Sequence, residues 1–81
     1  MLLSEWAARF VDELTRENAS PHTVRNYASD LAQFREFLDG DSEPDVTAMR
    51  MWLASVHESG ASAVTMRRKL AAVRSFYKFL I

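Results

Sequence analysis

Apolar positions recur along four stretches of this chain at three- and four-residue spacing, and no stretch alternates apolar and polar residues as a strand would. Trp6, Phe10 and Leu14 line one face of a first helix running from about Glu5 to Glu17, with Ser4 as the expected N-cap and Asn18 as the stop. In "ASPHTVRNYASDLAQFREFLDG", Ser20 caps a second helix and Pro21 takes its first position, where a missing N–H costs nothing. Val24, Tyr27, Leu31, Phe34 and Leu38 form its apolar stripe, Phe37 flanks it, and Gly40 is the expected stop. After the polar connection "DSEPDV", Thr47 is the expected cap of a third helix, with Val46 and Met51 spaced for a hydrophobic staple. Its buried face is Met49, Trp52, Leu53 and Val56, and Gly60 ends it. Ser62 caps a fourth helix with a stripe of Met66, Leu70, Val73, Tyr77 and Leu80, widened by Phe76 and Phe79. The pattern therefore predicts an all-α fold, a compact bundle of four helices joined by short connections.

Composition agrees and narrows the class. A chain of 81 residues is expected to be a single small domain, burying about 60% of its unfolded surface. It has two glycines and two prolines, and with no cysteine it can form neither a disulfide framework nor a thiolate metal site. Charges interrupt every apolar stretch, and "MLLSEWAARF" lacks the basic region of a secretory signal. A soluble cytoplasmic protein without a membrane partner is the expectation.

Net charge is only −1, yet it is divided unevenly. Residues 60–81 carry Arg67, Arg68, Lys69, Arg74 and Lys78 and no acid, whereas every Asp and Glu lies in residues 1–59. Such a split suits a polyanion-binding face, and equally suits two halves that attract each other. Enzyme chemistry finds little to build on. His22 and His57 lie on different helices with no second ligand at i+4, so no metal is expected. No phosphate loop or nucleophile elbow occurs, and no cofactor is implied. Tyr27 and Tyr77 fall on apolar stripes, as core rings do.

With the apolar stripe of the fourth helix at zero and about 100° per residue, Arg67, Arg74 and Lys78 fall roughly 80–120° away in one row. Arg68 falls nearly opposite the stripe. No acid on this helix offers an i,i+4 partner. A basic face with a small residue, Ala71, in its middle can enter a major groove and reach guanine edges or phosphates. The start of the second helix is its natural companion. Ser20, His22, Thr23, Arg25 and Asn26 surround a helix N-terminus, where backbone N–H groups favour phosphate.

These residues carry a resemblance. Ser20, Thr23, Tyr27, Asp30, Leu31 and Phe34, followed by Ser62, Leu70, Ala71, Ala72, Val73, Arg74, Phe76 and Tyr77, resemble the N-terminal core-binding domain of tyrosine site-specific recombinases, closest to the Xer group. The resemblance covers nearly the whole chain. It implies a SAM-like orthogonal bundle of the phage-integrase type that forms half of a clamp around double-stranded DNA, with its second and fourth helices toward the major groove of a recombination half-site. By position, His22, Thr23, Arg25 and Asn26, then Thr65, Arg67, Arg68 and Lys69, are the implied DNA-facing residues. The acids Asp30 and Glu36 and the acidic loop from Asp39 to Asp45 are expected to oppose phosphate nearby.

The family's catalytic arginines, histidines, lysine and nucleophilic tyrosine belong to a C-terminal domain, so the chain is expected to be a fragment ending where the interdomain linker begins. Implied partners are that catalytic domain and the other recombinase subunits of a synaptic tetramer, in a bacterial, nucleoid-associated setting. Two alternatives stay open. One is a protein-interaction or oligomerisation bundle, suggested by Phe76 and Phe79 as exposed aromatics. The other is a small stand-alone DNA-binding regulator.

Overall fold

A computed structural model describes residues 1–81. Four helices account for the regular structure: α1 (Leu3–Arg16), α2 (Pro21–Phe37), α3 (Val46–Glu58) and α4 (Ala63–Leu80). There are no strands. α2 and α4 pack on each other and both touch α1 and α3, whereas α1 and α3 do not meet. Each helix sends two large side chains to a common core: Leu3 and Phe10, Leu31 and Phe34, Met49 and Trp52, Val73 and Phe76. Ring contacts knit it together. Phe10 meets Phe76 edge-on at 5.4 Å and stacks on Tyr27 at 6.0 Å, and Phe34 lies tilted on Trp52 at 5.5 Å. Only 11 residues are buried in all, as expected when so short a chain supplies the core.

Two helix starts match expectation and share one device. Ser20 Oγ accepts the Thr23 N–H at 3.1 Å, and Ser62 Oγ accepts the Thr65 N–H at 3.2 Å. In both caps the serine hydroxyl also reaches the threonine hydroxyl. Asn18 takes the left-handed backbone that stops α1, with φ of 64°.

Elsewhere local signals were overruled. α1 starts at Leu3 with Leu2 at the N-cap, and Ser4 lies within the helix. Ser4 is released from capping because the α2–α3 loop supplies acceptors from outside. Ser42 O accepts the Leu3 N–H at 2.6 Å, and Asp41 Oδ1 accepts the Ser4 N–H at 3.0 Å. The Ser4 hydroxyl donates to the other Asp41 oxygen. Past α2, Asp39 is the first residue with positive φ, 54°, one position before the expected stop at Gly40. α3 is capped by Asp45, whose carboxylate accepts the Thr47 N–H at 3.2 Å, so Thr47 is not the cap. Val46 is thus the first residue of α3, past the cap and not before it as the expected staple requires, and Met51 is 59% exposed.

The largest correction concerns α4. Its buried residues are Lys69, Ala72, Val73 and Phe76, and Tyr77 is 42% exposed. The inward face is rotated by roughly 80° from the stripe expected on apolar residues alone. That stripe omitted Lys69, a charged residue, and Ala72, a small one. Phe76, expected on the rim, is fully buried, and Phe79 packs on Phe10 and Trp6. No helix is long and apolar enough to cross a membrane.

Candidate nucleic-acid interface

The rotation of α4 redistributes its cations. Arg67, Arg74 and Lys78, with Ala71 among them, now stand opposite the buried face, exposed and without an ion-pair partner. Arg74 borders a shallow groove beside Arg50, Leu53 and Tyr77 and meets no acid. Arg68 is on the flank that borders α2. Lys69 points inward.

Asp30 of α2 explains both of the latter positions. It is fully buried, and its Oδ1 accepts from Lys69 Nζ at 2.8 Å and from Arg68 at 3.3 Å. Lys69 Nζ also donates to Gln33 Oε1 at 2.6 Å and lies 5.5 Å from the centre of the Trp52 ring. Lys69 is 5% exposed, so its ammonium is occupied inside the bundle and it does not belong with the outward-facing residues expected from the sequence. Arg68, at 45% side-chain exposure, spans the boundary between bundle and solvent.

On α2, His22, Asn26 and Asp30 follow at four-residue steps and form one row. His22 Nε2 and Asn26 Nδ2 are 3.1 Å apart, and with the ring nitrogen as acceptor the amide donates. At its far end this row, with Gln33 a turn further on, meets Arg68 and Lys69 of α4. Of the expected residues, Arg68 and Lys69 touch α2, while His22 and Asn26 share the α2 row that carries their partner Asp30. Thr23 and Thr65 serve the two caps, and Arg25 is exposed and unpaired at the start of α2.

The acidic loop is placed apart from the start of α2. α2 has 17 residues, so its two ends are about 25 Å apart. Residues 39–45 follow the far end, where Asp41 holds the start of α1. Asp41 has its carboxyl lowered from the ordinary value of 3.8, chiefly by the Ser4 hydroxyl, then by the Ser4 N–H. Arg35 adds a weaker pull in the same direction, against the opposing effect of burial. Asp30, read from sequence as a repulsive charge, is screened from solvent and paired.

The buried Asp30–Lys69 pair is not what the sequence predicts, because a lone charge on a helix marks a solvent face unless an opposite charge meets it. The signal was nevertheless there. Asp30 sits inside the stripe of Tyr27, Leu31 and Phe34, and Lys69 is three, four and seven residues from Ala72, Val73 and Phe76. Opposite charges embedded in two apolar stripes are the pattern of a buried pair.

Fold and comparison agree on the class. Residues 7–81 match the family of phage integrase N-terminal SAM-like domains, and the chain belongs to that family. Among its relatives are proteins named tyrosine recombinase XerC. That of Halalkalibacterium halodurans is 39% identical over 95% of this chain and 27% of its own length. That of Bacillus subtilis is 37% identical over 89% of this chain and 26% of its own, and that of Chromobacterium violaceum 32% over 96% and 27%. The chain therefore spans little more than a quarter of the relatives it matches. No solved structure matches the chain.

Proposed function

We propose that this chain is the DNA-gripping module of a bacterial tyrosine recombinase, holding a recombination half-site with the N-terminal parts of α2 and α4. One observation carries the reading: an acid-free helix, joined to α2 through Arg68, presents the unpaired cations Arg67, Arg74 and Lys78 to solvent, in a family of recombinase N-terminal domains. His22, Thr23, Arg25, Asn26, Thr65, Arg67 and Arg68 supply the contacts. Lys69 is left out because its ammonium is engaged by Asp30 and Gln33. Cations on phosphates give affinity, while Arg25, Asn26 and Arg68 are of the types that read base edges. The parent recombinase cuts and rejoins DNA strands through a separate catalytic domain and works with other subunits in a synaptic tetramer, in the bacterial cytoplasm on the nucleoid.

The rival reading, an oligomerising bundle, loses its motive, since Phe76 is buried and Phe79 packs on α1 rings. Titrating the isotope-labelled domain with a duplex at low salt tests the proposal. Amide shifts are expected at 22–26 and 65–68, with affinity falling steeply as salt rises. Shifts confined to α1, or none at all, overturn it.

A further inference from the structure

Resting on the DNA-binding reading, we propose that Asp30 is a positioning residue. It holds the Arg68 guanidinium by one edge, so that the remaining donors face a DNA phosphate or base edge. Arg68 makes a single hydrogen bond in the protein, to Asp30 Oδ1, and a guanidinium has five N–H donors in a rigid planar fork. An exposed arginine samples many rotamers, and ordering them opposes binding. Anchored at one edge, Arg68 has that ordering done before DNA arrives.

Lys69 makes the arrangement compatible with a polyanion. Closer to Asp30 than Arg68 is, it neutralises the carboxylate inside the bundle, where Gln33 and the Trp52 ring fix its own position. The three charges leave one net positive charge, and it sits on the member that reaches solvent. Stability alone is a poor account of this cluster. Asp30 Oδ2 is buried without a hydrogen-bond partner, and apolar residues commonly replace a buried ion pair without loss. What the acid adds is a fixed direction for Arg68, on the same side of α2 as His22 and Asn26.

Simple electrostatics and positioning are separated by a charge-neutral background. Asp30→Leu with Lys69→Met removes the anchor, leaves net charge unchanged and keeps the site apolar. Asp30→Ala with Lys69→Met serves if the first pair does not melt cooperatively. Binding of a short labelled duplex of mixed sequence is followed by anisotropy over a range of salt. Arg68→Gln in the otherwise native chain is expected to weaken binding about fivefold, the lower end of one good contact, and to reduce the salt slope by about one. The anchor-free background should lose about as much, and Arg68→Gln added to it should change little. If Arg68→Gln has the same effect in both backgrounds, or none in the native one while DNA is still bound, Asp30 does not position it and the DNA-binding reading stands. If the native chain binds no duplex at low salt, that reading itself fails and takes the positioning role with it.

Discussion

Two aspartates tie this bundle together by different physics. Asp30 lies at zero exposure between α2 and α4 and is held by two cations. Asp41 lies near the surface of the α2–α3 loop and is held by the hydroxyl and N–H of one residue, Ser4. The first is a charge taken out of water, tolerable only with an opposite charge beside it. The second is a helix cap supplied from another segment, satisfying N–H groups that the first turn of α1 cannot satisfy itself. One residue type thus makes an interior charge pair in one region and a backbone clamp in the other.

The largest expected effect breaks the first region. Asp30→Ala leaves Lys69 buried without a counter-ion and should destabilise the domain by about 3–5 kcal/mol, measured by urea unfolding. Removing the lysine as well, as in Asp30→Leu with Lys69→Met, should recover most of that loss. An additive double mutant would show that Lys69 is not the cause.

A pair of neighbouring aromatics sharpens the account of how α4 faces this region. Phe76→Ala should cost about 3–5 kcal/mol because a fully buried ring leaves a cavity. Tyr77→Ala, at a 42% exposed position, should cost far less. Equal losses would return the inward face to the stripe centred on Tyr77.

The clamp should show itself in pH. The folded carboxyl of Asp41 titrates below the unfolded one, so the unfolded chain holds the proton more tightly. Its stabilisation is complete above the unfolded value of about 4 and is lost as pH falls through the folded value. Asp41→Asn should therefore lower the melting temperature at neutral pH and flatten the fall in stability below pH 4, as followed by circular dichroism. An unchanged acid limb would mean that Asp41 is not clamped in solution. Arg35→Gln gives the smallest effect. Its 4.0 Å contact with Asp41 is a surface ion pair, and its loss should leave melting unchanged within error.

Much of the fold is legible in the chain because its signals are local. Ser20 with Pro21, Ser62 and Asn18 mark helix ends through contacts within a few residues, and Phe10, Phe34 and Trp52 each lie on the apolar stripe of their own helix. The class of the fold and the polar character of the start of α2 follow from the same local chemistry. The acid-free basic character of α4 is likewise written in the chain, since it depends on composition alone.

Tertiary structure decided what each charge does. Whether Ser4 or Leu2 caps α1 depends on Asp41, 37 residues away in the chain. Whether Lys69 faces solvent or the interior depends on Asp30, 39 residues away. An isolated lysine on a helix reads as surface because burying a lone charge is prohibitive, and only an opposite charge on a neighbouring helix reverses that balance. With that pair and the Phe10–Phe76 ring contact in place, α4 buries Phe76, exposes Tyr77 and leaves Arg68 at the seam. Periodicity along one helix specifies that a face exists, but which way the face points is settled by the helix it meets.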